Sequence, residues 1–62
     1  MSENDPMTPA EISQYLKEFG FHRSPRTVNR MLHHGEMEAY RTAGGWFRVR
    51  KSEVDRWISE HR

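Results

Sequence analysis

Residues 24–35 read Ser24-Pro25-Arg26-Thr27-Val28-Asn29-Arg30-Met31-Leu32-His33-His34-Gly35, and residues 39–50 read Ala39-Tyr40-Arg41-Thr42-Ala43-Gly44-Gly45-Trp46-Phe47-Arg48-Val49-Arg50. The first stretch carries both ends of a helix. Ser24 offers a side-chain oxygen to a free backbone N–H, Pro25 suits the first helical position, and Gly35 suits a left-handed C-terminal cap. Between them Val28, Met31 and Leu32 recur at helical spacing as one apolar stripe, which puts Arg26, Asn29, Arg30 and His33 on the opposite face. Thr27 sits at the margin of that face in the first turn, where the positive helix end favours an anion. The second stretch predicts a hairpin, with Ala43-Gly44-Gly45 supplying the positive φ of the turn. In its second strand Trp46, Arg48 and Arg50 alternate with Phe47 and Val49, so the apolar pair can enter a core while the arginines face out.

Working outward, Thr8-Pro9-Ala10-Glu11 is a capping box with proline at the first helical position. It opens a helix whose expected buried stripe is Ile12, Tyr15, Leu16 and Phe19, and which Gly20 ends. Phe21 to Arg23 connect it to the helix of residues 25–34, with Phe21 turned inward. Glu36-Met37-Glu38 leads into the first strand of the hairpin. A last helix is expected from an N-cap at Ser52, with Asp55 at N3 and Val54, Trp57 and Ile58 on its buried side. The fold class is therefore mainly α with a small β-hairpin, in the order α-α-β-β-α. Residues 1–7 are expected to be a disordered N-terminal tail and residues 8–62 a single domain.

A chain of 62 residues has one small core, burying only about 60% of its unfolded surface. Two tryptophans, three phenylalanines and two tyrosines partly offset that shortage. There is no cysteine, which excludes disulfides and cysteine-zinc sites and suits a reducing compartment such as the cytoplasm. No apolar run approaches a membrane span and no apolar signal core precedes the first helix. Formal net charge is only +1, but its distribution is uneven. Between Gly20 and Lys51 there are seven basic residues (Arg23, Arg26, Arg30, Arg41, Arg48, Arg50 and Lys51) against two acidic ones, Glu36 and Glu38, a surplus of five. The remaining acids lie on the flanks, as expected of a chain with one face for a polyanion and the rest kept polar.

Catalytic readings find little support. No nucleophile, base and orienting acid stand at a usable spacing, and Gly44-Gly45 lacks the strand-to-helix context of a phosphate loop. Neither a cofactor nor a small-molecule substrate is expected. His33 and His34 project about 100° apart on a helix, so they do not form the i, i+4 pair that zinc favours, and no metal site is expected. Trp46 has two roles open to it. It can stack on a sugar or wedge a base step, or it can pack over Tyr40 on the neighbouring strand, the arrangement preferred for a hairpin-end tryptophan.

Four segments together resemble the excisionase family of MerR-like winged helix-turn-helix domains. They are Thr8-Pro9-Ala10-Glu11-Ile12, then Ser24 to Leu32, then Gly35-Glu36-Met37-Glu38-Ala39-Tyr40-Arg41, then Trp46 to Ile58. The resemblance implies that the second helix enters a major groove through Arg26, Thr27 and Arg30. It also implies that the wing meets a phosphate backbone or a minor groove through Arg41, Gly44, Gly45 and Arg48. With the exposed helix face and the hairpin tip, the candidate DNA-binding residues are Ser24, Arg26, Thr27, Asn29, Arg30 and His33 on the helix. On the wing they are Arg41, Thr42, Gly44, Gly45, Trp46 and Arg48. The implied partners are double-stranded DNA, neighbouring copies of the chain bound beside it, and an integrase steered toward excision. Two departures stand out. Lys17 to Arg23 make a longer connection than the family's short turn, and only four residues follow Ile58 where better-known members carry a tail, so an integrase contact is expected on another surface. A small transcriptional regulator would use the same surface, and a protein-interaction module without DNA binding is the alternative of a different class.

Overall fold

The structure, a computed structural model, describes residues 6–62. Its elements are β1 (Pro6–Met7), α1 (Pro9–Lys17), α2 (Pro25–His33), β2 (Tyr40–Arg41), β3 (Phe47–Arg50) and α3 (Lys51–His61). The three short strands form one antiparallel sheet in the order β1-β3-β2. The architecture is mainly helical with a small hairpin, a winged helix-turn-helix.

Local chemistry sets the helix ends. Thr8 Oγ1 accepts from the Glu11 N–H at 3.1 Å while Glu11 Oε1 accepts from the Thr8 N–H at 2.8 Å, completing the capping box of α1. At the other end Gly20 takes φ +88°. The Phe21 N–H then donates to the Leu16 carbonyl at 3.0 Å and the Gly20 N–H to that of Lys17 at 3.1 Å. Helix α2 stops in the same way, with Gly35 at φ +76° and bonds from the Glu36 and Gly35 N–H groups to the Met31 and Leu32 carbonyls. Both endings satisfy carbonyls that a helix C-terminus otherwise leaves bare.

The core gathers one stripe from each helix around the central strand. Ile12 and Leu16 come from α1, Val28, Met31 and Leu32 from α2, Val49 from β3, and Val54, Trp57 and Ile58 from α3. Met37, in the loop after α2, is buried with them. The long connection between α1 and α2 is ordered by two contacts. Buried Ser13 donates from Oγ to the Arg23 carbonyl at 2.5 Å, and Phe21 meets Trp57 edge to face at 5.1 Å.

Three expectations need correction. The tail expected over residues 1–7 loses its last two, because Pro6 and Met7 pair with Arg50 and Val49 and Met7 packs half-buried against the core. Proline is tolerated there because β1 is an edge strand. Residues 1–5 lie outside the described residues. Phe19 is 45% exposed, because α1 ends at Lys17 and the next turn carries Phe19 off the stripe onto the rim of Tyr15, with ring centroids 5.1 Å apart. Ser52 does not cap α3: β3 runs into the helix without an intervening residue, so extended Arg50 holds the N-cap position and Ser52 falls in the first turn. Asp55 instead accepts from the Tyr15 hydroxyl and pairs with Lys51 at 3.3 Å. This joins α1 to α3.

Candidate nucleic-acid interface

Helix α2 is built from its cap outward. Ser24 Oγ accepts from the Thr27 N–H at 3.2 Å and donates to Thr27 Oγ1 at 3.0 Å. The two hydroxyls named as candidate contacts are thus held against each other at the start of the helix. Arg26, Asn29, Arg30 and His33 are exposed along the face opposite Val28, Met31 and Leu32. No acidic residue stands in the first turn, and Arg30 and His33 fall in the last. Among the described residues the ion pairs are Lys51–Asp55 and Arg56–Glu60, both within α3. Arg26 and Arg30 therefore face solvent without a carboxylate, a charge that costs little only where water or an anion meets it.

The wing is a short hairpin with a tight tip. The Thr42 N–H donates to the Trp46 carbonyl and the Gly45 N–H to the Thr42 carbonyl, both at 2.9 Å. Of the glycine pair, Gly45 alone takes a positive φ, +81°, so the expectation that the whole Ala43-Gly44-Gly45 stretch supplies it narrows to one residue. Gly44 serves another need. A Cβ there would stand 3.0 Å from Trp46 Cδ1 and 3.2 Å from Nε1, so the indole lies over the turn because Gly44 has no side chain. Trp46 is consequently 69% exposed. The preferred packing over Tyr40 gives way to this contact, since the register sets Tyr40 opposite Arg48.

The wing arginines differ in setting. Arg41 stands opposite Phe47, and its Cζ lies 4.5 Å from the centre of that ring. Arg48 is half-buried and donates from Nη1 to the Phe47 carbonyl at 2.8 Å. Phe47 also receives the His33 ring edge to face, with centroids 4.7 Å apart. A groove of about 210 Å³ lies between α2 and the wing, lined by Asn29 and His33 of the helix, by Arg41, Trp46 and Phe47 of the wing, and by Pro9 of α1. The contacts among His33, Phe47 and Arg41 escaped the sequence reading because they join residues far apart in the chain. Ser13 escaped it too, although a small hydroxyl between Ile12 and Leu16 is a signal that something polar approaches the stripe.

A family model described as a helix-turn-helix domain matches residues 6–62. The chain belongs to that family. No curated protein and no solved structure matches it at a significant level. The helix-turn-helix assignment points to DNA as partner and to a domain of a typically non-enzymatic kind. It also fits the distribution of charge: among the described residues Arg26 and Arg30 of α2 and Arg41 of the wing have no carboxylate partner, while Lys51 and Arg56 of α3 are paired. Among the described residues no helix of the helix-turn-helix domain is long and apolar enough to cross a membrane.

Between α1 and α3, Lys51 Nζ lies 5.0 Å from the centre of the Tyr15 ring. The hydrogen bond to Asp55, helped by burial, raises the Tyr15 hydroxyl above its ordinary value of 10.0. Hydrogen bonding to Tyr15, and then to Asp55, raises Lys51 above 10.5. This cluster clasps α1 to α3 and contributes no free charge to the α2–wing face.

Proposed function

We propose that residues 8–62 form a sequence-specific DNA-binding domain of the excisionase type, acting in the cytoplasm as an architectural factor. In this reading α2 lies in a major groove with Arg26, Thr27, Asn29 and Arg30 toward base edges, and Ser24 and His33 flank them. The wing follows the adjacent backbone through Arg41, Thr42, Gly44, Gly45 and Arg48, with Trp46 against sugar or base. The observation that carries the reading is the pair Arg26 and Arg30, exposed one turn apart without a carboxylate among the described residues, beside a wing that presents Arg41. Arginine is suited to this role because its fork of donors matches guanine O6 and N7.

A single module of this size covers a modest stretch of duplex, so selective occupancy rests on several copies bound side by side, in head-to-tail contact. The bound array bends attachment-site DNA and turns an integrase toward excision. The general part of the proposal is tested by titrating duplex DNA at increasing salt. Affinity falls linearly on logarithmic axes if phosphates are contacted, and association that ignores both salt and DNA would point to a protein-interaction module. The specific part is tested by reconstituting recombination with an integrase and paired attachment sites. Stimulated excision supports the reading. DNA binding with no effect on recombination would favour a transcriptional regulator.

A further inference from the structure

Arg41 and His33 belong to different elements, one on the wing and one at the end of α2, yet both rest on a single ring. The guanidinium carbon of Arg41 stands 4.5 Å from the Phe47 centroid. The imidazole of His33 meets the same ring nearly perpendicular, at 88° and 4.7 Å. We infer that Phe47 is a positioning residue for DNA binding, whose ring presets Arg41 beside His33 so that wing and helix offer one joined hydrogen-bonding edge to a phosphodiester. The inference rests on the DNA-binding reading above and adds to it a residue that was assigned only to the core.

The physical case has three parts. A guanidinium lying over an aromatic face uses its π surface there and keeps its N–H donors, which lie in its plane, available to an anion. A free arginine must give up the rotamer freedom of a long side chain when it binds, and one already stacked has given up part of it beforehand. The third part is the mechanical link. The wing is a short ribbon joined to α2 by a loop, and His33 against Phe47 ties its base directly to the end of that helix, fixing the width of the groove between them. Arg48 is held differently, through the Phe47 carbonyl at 2.8 Å, a bond that does not depend on which side chain residue 47 carries.

That difference supplies the test. Phe47→Leu keeps an apolar side chain and removes the π face, and Phe47→Tyr keeps both. In the free protein the Arg41 side-chain protons of the parent and of F47Y should show an upfield ring-current shift by NMR, and those of F47L should not. On duplex DNA, F47L should bind roughly three- to tenfold more weakly than the parent, and F47Y should bind like it. Arg41→Ala should cost less in F47L than in the parent, whereas Arg48→Ala added to F47L should cost its full amount, which separates loss of the ring from general loosening of the wing. Additive losses for F47L and R41A, unshifted Arg41 protons in the parent, or parent-like binding by F47L would overturn the inference and leave the DNA reading standing. A parent protein that does not bind duplex DNA at all would overturn both.

Discussion

Helices α2 and α3 each bury three apolar side chains in the same core, Val28, Met31 and Leu32 from one and Val54, Trp57 and Ile58 from the other. Their outer faces are treated oppositely. On α3, Lys51 has Asp55 four residues on and Arg56 has Glu60 four residues on, the spacing at which opposite charges support a helix. On α2 the same spacing brings Arg26 to Arg30, a like pair that costs a few tenths of a kcal/mol in an isolated helix. A helix that needed only to cover the core would have no use for that arrangement. The difference supports the proposal that α3 holds the fold and α2 meets something outside it.

The largest effect expected from this division concerns stability. Trp57→Ala removes the biggest buried side chain of α3, 3% exposed, stacked on His61 and met edge to face by Phe21, and should cost about 3–5 kcal/mol in a denaturant titration. Arg30→Ala should leave the same titration almost unchanged. If the arginine variant were as damaging, α2 would be structural in the same sense as α3 and the comparison would collapse.

Affinity should show the reverse order. Arg26→Ala and Arg30→Ala should each weaken binding to a preferred duplex by roughly 1–3 kcal/mol and relax base preference at one position. Arg56→Ala, which breaks only the loose 3.9 Å pair with exposed Glu60, should change affinity little. Equal losses from all three would mean that charge alone, and not its place, governs binding.

Much of this division was legible because it is written locally. The caps at Thr8 and Ser24, the closing glycines at 20 and 35, and the three apolar stripes each depend on residues within a turn or two of one another. What was not legible depends on distant partners. Met7 is held by pairing to Val49, Ser13 by the carbonyl of Arg23, and Phe47 by His33 and Arg41. The cap expected at Ser52 failed for a related reason: the strand was read as reaching Arg50, but nothing near it reveals that α3 begins at once, at Lys51. The direction of Trp46 follows from a missing side chain at Gly44, a vacancy that alternation along a strand does not encode.

Ser13 sharpens the comparison at a middle magnitude. Its hydroxyl fixes the residue immediately before the N-cap of α2, so Ser13→Ala should cost about 1–3 kcal/mol of stability by leaving the Arg23 carbonyl poorly satisfied. It should also weaken DNA binding beyond that of an equally destabilised α3 variant compared where both are folded. Identical binding by the two would show that the entry to α2 is no more sensitive than the rest of the core.

The smallest effect lies on the α3 side. Tyr15 and Lys51 both hold their protons more tightly in the fold than their ordinary values of 10.0 and 10.5 would allow. The stability they add is therefore complete below about pH 10 and is lost as the pH rises through the raised values. Denaturant midpoints should hold up to about pH 10 and fall above it in the parent, and less so in Tyr15→Phe. DNA affinity at neutral pH should not register that substitution, and a clear change would place the Tyr15 cluster nearer the interface than its position indicates.

The central claim is that one side of the domain, α2 with the wing, meets DNA while α3 does not. Amide chemical-shift mapping during titration with duplex DNA tests it most directly. The account predicts that perturbations concentrate on residues 24–33 and 41–48 and spare the exposed face of α3 from Arg56 to Arg62. Perturbations centred on α3, or spread evenly over both helices, would contradict it.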